Sequence, residues 1–492
     1  MSDDMRNAEE EVAPFFSGTL AASASDRTVD VTDPSTGQRR LGIPEGSAAD
    51  VDRAVAAARR AFDGGEWSEA PPSFRKHTLQ RFADLIAEHA SAIDALDAGE
   101  MGKPVREPFA NAAGAASLMR FYAESIDKVM GDVYTSDKQS FVTQRRVPVG
   151  VVAAVVPWNF PAFNAVLKLA PALAAGNCVV LKPSELSSRS AVRLARLALE
   201  AGVPPGVLNV VPGLGETVGR ALGLHGDVDM IAFTGSTAVG KLMLQYAGQS
   251  NMKRVQAECG GKSPQIVFDD GIDLDAAGAR IAESLLTNQG QVCSVGSRLL
   301  VQQSVEKALL SKVMERLERI VMGNALDPST TFGPVVSAKQ CARVMELIDS
   351  GARSGAQLVF GGRRALPGSG GYFIEPTVFR GVAPSARLAQ EEIFGPVLSV
   401  IPFKDEAEAI QIANGTIYGL AAYVWTTNLS TGMRMAKAIR SSIIVNAVAP
   451  AGEGAGHAFS AEPGKQSGFG SEGGLAGIET YMRRQLIWFS HG

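Results

Sequence analysis

Val151-Val-Ala-Ala-Val-Val-Pro-Trp-Asn-Phe-Pro161 is an apolar run that stops at a proline-bounded turn. Further short runs rich in β-branched residues follow at 178–181, 208–211 and 230–233. A helical stretch at 191–201 lies between two of these runs and ends at Gly202, with Pro204 beyond it. Because strands alternate with helices, the pattern predicts an α/β fold with βαβ units, a parallel sheet covered by helices, and ligands bound at the carboxyl ends of the strands.

A glycine-rich turn follows the last of these runs, in Gly235-Ser-Thr-Ala-Val-Gly240. Backbone N–H groups at the start of the next helix would point toward an anion, so the phosphates of a dinucleotide could bind there. The usual Gly-x-Gly-x-x-Gly spacing is absent, both here and at Gly213-Leu-Gly215, where Gly219 comes one residue late. A plain strand-to-helix turn is therefore an open alternative for this segment.

The composition indicates a globular protein of two or three domains. The chain has 492 residues, of which 46% are hydrophobic, and a net charge of −4. This charge predicts no general attraction to nucleic acid or to anionic membranes. The longest strongly apolar stretch, 149–156, is far shorter than the roughly 20 residues of a membrane-spanning helix. We expect neither a nucleic-acid partner nor a membrane partner.

The N-terminal region is acidic at Glu9-Glu10-Glu11 and lacks the apolar segment of a secretory signal. Residues 1–28 are mostly polar and small, and we expect them to form a loose arm. Beyond this arm, apolar residues recur at helical spacing over 51–62. Ser47, followed three residues later by Asp50, is a typical helix start, so an early amphipathic helix is predicted.

The four cysteines are Cys178, Cys259, Cys293 and Cys341. Their spacing includes no Cys-x-x-Cys and no neighbouring histidine, which indicates neither a metal site nor a disulfide framework. A reducing compartment is the simplest interpretation. We therefore expect a cytoplasmic protein without a bound metal.

Two runs carry candidate catalytic groups, Asn288-Gln-Gly-Gln-Val-Cys-Ser-Val-Gly-Ser-Arg298 and Glu258-Cys-Gly-Gly-Lys-Ser-Pro264. Most cysteines in proteins are small buried residues, which is the alternative interpretation of Cys293. However, Gly290 and Gly296 bracket this thiol and let backbone or ligand approach closely. Because a cysteine is a strong nucleophile and a glutamate can act as a base, the pair suggests covalent thiol chemistry.

These two runs, together with Pro157-Trp-Asn-Phe-Pro161, Phe233-Thr-Gly-Ser-Thr237 and Glu391-Glu-Ile-Phe-Gly-Pro396, resemble the NAD(P)-dependent aldehyde dehydrogenase superfamily. The likeness extends from about Val29 to Tyr481. It implies a Rossmann-like NAD-binding domain at 29–127 and 150–259, an α/β catalytic domain at 260–460, and a small β oligomerisation arm at 128–149 and 476–492. It also implies a homodimer or homotetramer built by strand exchange.

The resemblance implies oxidation of an aldehyde to a carboxylic acid. Cys293 would attack the carbonyl carbon, and Asn159 with the backbone N–H of Cys293 would stabilise the resulting oxyanion. Hydride transfer would leave a thioester, and Glu258 would activate the water that hydrolyses it, with Glu472 as a rival base or relay. Lys168 would influence proton traffic or cofactor position, with simple solvent exposure as the alternative.

The cofactor residues that the resemblance implies follow the predicted strands or precede the catalytic region. They are Trp158, Lys182, Ser184, Glu185, Gly235, Ser236, Gly240, Glu392 and Phe394. A carboxylate at position 185 would accept a hydrogen bond from a ribose 2′-hydroxyl but repel a 2′-phosphate. The expected cofactor is therefore NAD rather than NADP.

The substrate tunnel that the resemblance implies is mostly apolar. Its matching positions are Phe163, Asn164, Leu167, Val292 and Ser294. An aliphatic or aromatic aldehyde would fit, and no basic residue is identified as a carboxylate anchor. Aminoaldehydes stay open, with Glu453 or Glu462 as ammonium partners.

Two departures from the family pattern limit the transfer of these roles. Cys259 stands where the family usually has leucine, and the segment 447–463 is longer and richer in glycine than usual. Two other functions also stay open: an acylating dehydrogenase that passes the acyl group to coenzyme A, and a non-catalytic member that binds a dinucleotide. Glu258 argues against the first, and the set Cys293, Asn159 and Glu258 argues against the second.

Overall fold

The computed structural model of this chain describes residues 12–448 and 457–491. Its strands, in chain order, are β1 (Phe15–Phe16), β2 (Thr19–Leu20), β3 (Thr28–Thr32), β4 (Arg39–Pro44), β5 (Asp132–Tyr134), β6 (Ser140–Pro148), β7 (Val151–Val155), β8 (Cys178–Lys182), β9 (Leu208–Val210), β10 (Met230–Thr234), β11 (Arg254–Glu258), β12 (Pro264–Val267), β13 (Arg298–Gln302), β14 (Gln357–Phe360), β15 (Thr377–Arg380), β16 (Val397–Phe403), β17 (Tyr418–Gly419), β18 (Ala421–Trp425), β19 (Ser442–Val445), β20 (Ser460–Ala461), β21 (Gly464–Lys465), β22 (Gly468–Phe469), β23 (Glu472–Gly473) and β24 (Met482–Ser490).

The helices are α1 (Ala48–Asp63), α2 (Pro72–Glu88), α3 (Ala90–Met101), α4 (Ala112–Ser125), α5 (Pro161–Ala174), α6 (Arg189–Glu200), α7 (Arg220–Leu224), α8 (Thr237–Gln249), α9 (Leu274–Leu286), α10 (Glu306–Leu317), α11 (Ala338–Arg353), α12 (Arg387–Gln390), α13 (Glu406–Asn414), α14 (Leu429–Ala438) and α15 (Gly474–Thr480). Short 3₁₀ turns cover Ile126–Lys128, Thr287–Gly290 and Pro367–Ser369, and a π-helical turn covers Gly215–Gly219. Among the described residues, no helix is long and apolar enough to cross a membrane.

The first sheet has eight strands in the order β2-β1-β9-β8-β7-β10-β11-β22. Its five central strands, β9 to β11, are parallel, and the four predicted strand positions within it are confirmed. The strand order reverses between β7 and β10, which is where a doubly wound sheet binds its ligands. All residues of β7 and β8 are buried because helices cover both faces of the sheet.

The predicted early helix is confirmed as α1. Ser47 accepts a hydrogen bond from the Asp50 amide while the Asp50 carboxylate accepts one from the Ser47 amide, a capping box that fixes the first turn. The region before it differs from the loose arm that we expected over residues 1–28. Phe15–Phe16 pairs with β9, and Phe15 packs into the core, so two apolar side chains attach this segment to the sheet. Residues 1–11 lie outside the described residues.

The second sheet has seven strands in the order β14-β15-β16-β13-β12-β18-β19. All of its strands are parallel except β14, which is antiparallel to β15. Separate apolar clusters cover the two faces of the sheet. The two parallel sheets confirm the α/β prediction.

A third, antiparallel sheet joins β24, β6 and β5. Nine residue pairs, from Met482 opposite Pro148 to Ser490 opposite Ser140, hold β24 to β6. Large apolar side chains on this sheet stay open to solvent, among them Leu486, Trp488 and Phe489, which are 56%, 65% and 54% exposed. An exposed apolar sheet of this kind is a typical site of association between chains.

Candidate active site

The candidate site lies where the two parallel sheets meet. The carboxyl ends of β7, β10 and β11 lead into the turn at 156–160, the turn at 235–236 and the segment 259–263. The residues that precede β12, β13 and β16 come from the amino ends of the second sheet. A Cβ atom on Gly261, just beyond Glu258, would collide with the carbonyl oxygen of Cys293, which shows how closely the two edges approach.

Cys293 lies in a tight loop before β13. Three consecutive residues, Asn288, Gln289 and Gly290, have left-handed φ values of 47°, 56° and 72°. The backbone of Gly290 packs directly on the carbonyl of Gly395, leaving no room for a side chain. The glycine before the thiol thus lets two protein segments come together rather than leaving space for a ligand.

The surroundings of Cys293 favour its protonated thiol over the thiolate. Burial, together with the negative charges of Glu392, Glu258 and Glu472, which a thiolate would face, raises the pKa of this thiol to about 12. A hydrogen bond at Ser294 acts in the opposite direction. Attack by sulfur therefore needs a base to take its proton.

Asn159 is buried beside this loop, at the turn that follows β7. Its Nδ2 donates to the carbonyl oxygen of Gln291 at 2.9 Å, and its Oδ1 accepts from Asn164 Nδ2 at 3.3 Å. Its backbone carbonyl accepts from Asn288 Nδ2 at 2.8 Å. These three bonds fix the amide with its N–H₂ group toward the cysteine loop.

Helix α5 begins directly after this turn, and its first turn is hydrogen-bonded to Asp97, a residue that sequence reasoning missed. The buried carboxylate of Asp97 accepts a hydrogen bond from the Ala162 amide at 3.1 Å, where helix N–H groups lack partners. Asp97 lies on α3, far from the motif, so the local sequence gives no signal of this contact.

Glu258 ends β11, next to Thr234 at the end of β10. Burial raises the pKa of its carboxyl group well above the usual value, and the neighbouring charges of Glu472 and Glu462 add to this. The ammonium of Lys168 acts in the opposite direction. Its proton affinity is therefore set first by burial and then by the charges around it, which is a common setting for a general base.

Lys168 is fully buried on α5, which excludes the solvent-exposed alternative. Its Nζ forms an ion pair with Glu472 and donates to Gln256 Oε1 at 2.9 Å. Gln256 Nε2 in turn lies 3.5 Å from Glu258 Oε1. A polar chain therefore connects Glu472, Lys168 and Gln256 to Glu258, and sequence reasoning had not singled out Gln256.

A segment near the C-terminus closes the site from one side, and its role was also missed. Gly468–Phe469 pairs with Ala257 and Glu258 as the edge strand β22. Ser467 Oγ donates to the Gly260 carbonyl at 2.7 Å and accepts from the Gly419 amide at 3.0 Å. With a φ of 124°, Gly468 lies directly against the Ala257 carbonyl, where a side chain would not fit. The glycines in this run were the only local signal.

The predicted cofactor residues of the first sheet lie along its carboxyl edge. Lys182 is buried, and its Nζ lies 3.6 Å from Glu185 Oε2. Ser184 is buried at the same turn, where its hydroxyl accepts from the Leu186 amide at 3.3 Å. The Lys182–Glu185 pair is partly open to solvent on the carboxylate side, where a ribose could approach.

The turn after β10 also brings its predicted residues together, with different roles. Ser236 caps α8 by accepting from the Val239 amide, and the Gly235 amide donates to the Glu258 carbonyl at 3.0 Å. Gly240 is buried one turn into α8, where an added Cβ would lie 2.6 Å from Cys259 Sγ. Gly240 and Cys259 thus allow α8 to pack closely on the first sheet. Gly240 has no side chain and the Cys259 thiol is buried at this contact, so neither side chain donates to a ligand.

The three remaining cofactor positions group at the junction of the sheets. The rings of Trp158 and Phe394 pack edge to face, with centroids 5.2 Å apart. Glu392 Oε1 accepts from the Gly261 amide at 3.0 Å, and burial raises the pKa of this carboxyl group to about 7.

The predicted tunnel residues lie on α5 or in the loop of Cys293. Phe163 and Val292 contact a small apolar cluster that also contains Phe160 and Val295. Asn164 is hydrogen-bonded to Asn159, and Leu167 packs at the edge of the first core. The Ser294 carbonyl accepts from the Tyr423 hydroxyl at 2.9 Å. The side chains around Cys293 on this side are therefore mainly aromatic and aliphatic.

The sequence pattern of the aldehyde dehydrogenase family matches residues 21–487 of this chain. The chain belongs to the aldehyde dehydrogenase family. The match confirms the resemblance inferred from the motifs. This aldehyde dehydrogenase is therefore an enzyme that oxidises aldehydes to carboxylic acids.

Several relatives of this aldehyde dehydrogenase match it over nearly their whole length. The NADP/NAD-dependent aldehyde dehydrogenase PuuC of Escherichia coli (strain K12) is 44% identical over 97% of this chain and 95% of its own. An aminoacetaldehyde dehydrogenase of Pseudomonas aeruginosa is 40% identical over 96% of this chain and 95% of its own. The crystal structure of an indole-3-acetaldehyde dehydrogenase in complex with NAD⁺ is 45% identical, covers 99% of both chains and has a TM-score of 0.95.

The segment 447–463 of the aldehyde dehydrogenase is described only in part. Residues 449–456, including Glu453, lie outside the described residues. Beyond them, the His457 ring lies near the Phe121 ring on α4, with centroids 6.1 Å apart, and its Nε2 is 3.0 Å from Ser117 Oγ. Glu462 accepts from the Gly470 amide at 3.2 Å. The described end of this segment therefore runs past α4 toward the strand that carries Glu258.

Proposed function

We propose that this aldehyde dehydrogenase oxidises its substrate through a thioester on Cys293, with NAD as the hydride acceptor and water as the acyl acceptor. The observation that carries this proposal is the convergence of one thiol and one carboxylate from different sheets. The loop of Cys293 packs against Gly261, and the charge of Glu258 acts on the Cys293 thiol.

The first step is the attack of Cys293 sulfur on the aldehyde carbon. The thiol loses its proton to a neighbouring carboxylate, and the charges of Glu392, Glu258 and Glu472 all act on it, so this step does not depend on Glu258 alone. The carbonyl oxygen becomes an oxyanion and needs donors. Asn159 supplies one N–H, since its amide is already turned toward the cysteine loop, and the Cys293 backbone N–H supplies another.

The second half of the reaction is hydrolysis of the thioester. The proton released by the thiol in the first step passes to solvent, and the ionised Glu258 takes a proton from water while the water oxygen adds to the acyl carbon. The C–S bond then breaks, the carboxylic acid forms, and Glu258 returns the proton to the Cys293 thiolate. Lys168 and Glu472 form a buried relay behind this base. Lys168 limits the rise in the pKa of Glu258, which keeps the carboxylate ionised for a larger share of the time.

The residues at the strand-order reversal fit a dinucleotide. The buried hydroxyl of Thr234, at the end of β10, has no hydrogen-bond partner among the described residues, and the exposed start of α8 adds free N–H groups. Lys182 and Glu185 suit an adenosine ribose, while Glu392 and Phe394 suit the nicotinamide half. Bound NAD would supply the hydride acceptor. Glu185 favours NAD over NADP by repelling a 2′-phosphate.

The substrate is an aldehyde with an apolar group next to the carbonyl carbon. The aromatic and aliphatic lining formed by Phe160, Phe163 and Val292 supports this. An amino group farther along the chain is compatible with the negative charge of Glu462, which acts on the Glu258 carboxyl group. Relatives named for aminoacetaldehyde and indole-3-acetaldehyde are consistent with both kinds of substrate.

The division that we propose is an N-terminal arm at 1–28, whose strands β1 and β2 extend the first sheet, an NAD-binding domain at 29–127 and 150–259, a catalytic domain at 260–460, and an oligomerisation arm at 128–149 and 476–492. The exposed Leu486, Trp488 and Phe489 support pairing of this arm with a second copy, in a homodimer or homotetramer. Free cysteines support a reducing compartment, the cytoplasm.

A panel of aliphatic, aromatic, amino- and carboxy-aldehydes tests the proposal, with reduced nicotinamide measured for NAD and NADP and with or without coenzyme A. Acid formation with NAD and no coenzyme A is the expected result. A strict need for coenzyme A would replace hydrolysis by acyl transfer. Dinucleotide binding without turnover on any aldehyde would indicate a non-catalytic member. Cys293→Ala should remove even the first round of cofactor reduction.

A further inference from the structure

Helix α5 begins without a capping side chain of its own. Phe160, the residue before it, makes no side-chain hydrogen bond to the first turn, and Pro161 at the first position has no N–H group. The first N–H group of the helix is therefore that of Ala162. It donates to Oδ2 of Asp97 at 3.1 Å, on α3 and 65 residues earlier in the chain. The cap of α5 thus comes from another helix.

Two groups of the proposed reaction depend on where α5 begins. Asn159 lies just before the helix, and its Oδ1 accepts from Asn164 Nδ2 on the first turn. The backbone N–H of Asn164 donates to the Phe160 carbonyl at 2.8 Å, which ties the preceding turn to the helix. Lys168 lies one turn farther along, in the polar chain that leads to Glu258. A shift of the first turn of α5 would therefore move both the oxyanion amide and the lysine.

Asp97 is 3% exposed, and its charge depends on a buried polar cluster. Burial raises the pKa of this carboxyl group to about 7, although the Ser190 hydroxyl on α6 and the Ala162 amide act in the opposite direction. The charge of Arg189, and more weakly that of Arg40, acts on the cluster through Glu100. The charged groups that act on Asp97 from α3 and the segment after it are Asp94, Glu100 and Lys103.

We propose that Asp97 is a positioning residue for aldehyde oxidation: its ionised carboxylate caps α5 and thereby holds Asn159 and Lys168 in place for the two halves of the reaction. A negative charge is stabilising at a helix N-terminus, and more so where the site is partly buried. A neutral acid or amide still accepts one hydrogen bond but lacks this charge. The proposal rests on the function proposed above, since both concern the same site.

The proposal predicts how the variant Asp97→Asn differs from the wild type as the pH changes. Asparagine keeps the size of the side chain and one acceptor oxygen, but it is neutral at every pH. At pH 8 the burst of reduced NAD should be roughly tenfold slower in Asp97→Asn, because the oxyanion amide is held less firmly. At pH 5.5 the two rates should converge, because Asp97 is then protonated in the wild type as well. A purely structural role would give a constant ratio.

Stopped-flow mixing of the intact enzyme with NAD and an aldehyde of the substrate panel measures this ratio between pH 5.5 and pH 8.5. Asp84→Asn removes an exposed carboxylate on α2 and is the matched control, whose burst should equal that of the wild type at each pH. Equal bursts of Asp97→Asn and the wild type at pH 8 would overturn the proposal. A ratio that stays constant, or grows as the pH falls, would do the same.

A second variant keeps the test open if Asp97→Asn does not fold. Ser190→Ala removes one buried hydroxyl that favours the ionised form of Asp97. The pH below which the burst slows should therefore move upward in this variant. An unshifted pH dependence in a folded Ser190→Ala would count against Asp97 as the group that titrates.

Thermal unfolding gives a measurement that needs no substrate. A buried carboxyl group with a raised pKa lowers the free energy of unfolding as the pH rises from about 4, its value in the unfolded chain, to about 7. Asparagine removes this loss, so the Tm of Asp97→Asn minus that of the wild type should rise by a few degrees between pH 5 and pH 8. A flat difference would overturn the proposal. Failure of the proposed function is distinguishable, since the wild type itself would then give no burst with any aldehyde.

Discussion

Replacing the buried Lys168 by methionine should move the acid limb of thioester hydrolysis to higher pH. As the pH is lowered, the rate of the variant should therefore fall before that of the wild type. Lys168 Nζ lies 2.9 Å from Gln256 Oε1, and Gln256 Nε2 lies 3.5 Å from Glu258 Oε1, so the ammonium and the carboxylate are separated by one side-chain amide. Only the ionised carboxylate of Glu258 can take a proton from water. Whatever raises its pKa therefore moves the acid limb of the rate profile to higher pH.

The size of this effect follows from Coulomb's law. At a separation on the order of 7 Å and an effective dielectric constant of about 20, two unit charges interact by about 2.4 kcal/mol. One pH unit corresponds to about 1.4 kcal/mol, so loss of the ammonium should move the acid limb upward by roughly one to two pH units. The unpaired Glu472 acts in the same direction, because its negative charge also raises the pKa of Glu258.

The assay separates the two halves of the reaction. Stopped-flow mixing measures the first burst of reduced NAD, and the steady-state rate between pH 5 and pH 10 then reports hydrolysis where this step limits turnover. Glu472→Gln removes a negative charge and should move the acid limb to lower pH. The double variant should lie between the single variants, and Lys437→Met is the control for loss of an exposed lysine.

The reasoning is refuted if Lys168→Met folds, keeps its burst and shows an acid limb at the same pH as the wild type. It is equally refuted if the acid limb moves to lower pH, because the sign of the charge effect would then be wrong. A lost burst in Lys168→Met with an unshifted acid limb would instead show that Lys168 acts on the first half of the reaction.

Glu258→Gln should retain a first round of reduced-NAD formation in a burst assay but lower steady-state turnover by about 10²–10⁴-fold, and unchanged turnover would exclude Glu258 as the base. Glu185→Gln should raise the ratio of kcat/KM for NADP over NAD by roughly tenfold, since the repulsion of a 2′-phosphate disappears, and an unchanged ratio would place cofactor discrimination elsewhere. Gly261→Ala should lower the burst rate on the order of 10²-fold at normal cofactor affinity, because its Cβ would displace the Cys293 carbonyl, and a wild-type burst would show that the loop adapts.

Four central strands of the first sheet, β7 to β10, could be predicted from the sequence because they are buried on both faces over almost all of their length. A strand such as β7 then shows a continuous apolar run, and its ends are marked by Gly150 and Pro157. The attachment of Phe15–Phe16 could not be predicted in the same way. Two residues are too short for any periodicity, and what holds them is an antiparallel contact with β9, almost two hundred residues later.

The limits of sequence reasoning at the site have a similar cause. Lys168 carries no local sign that it is buried, because its partner Glu472 lies 304 residues farther along the chain. Gln256 looks like any polar residue of a strand until its amide is seen between Lys168 and Glu258. The motifs identify residues that stand out by their chemistry or by neighbouring glycines. Common polar residues such as Gln256 acquire a role only through contacts with residues far away in the sequence.

The edge strand Gly468–Phe469 has a consequence for biosynthesis. A ribosome makes the thiol and the carboxylate early, but the strand that pairs with Ala257 and Glu258 emerges only about two hundred residues after them. Until then, the edge of β11 stays unpaired, and Lys168 has no Glu472 beside it. A nascent or prematurely terminated chain can therefore fold much of its first sheet while it is still unable to complete a catalytic cycle.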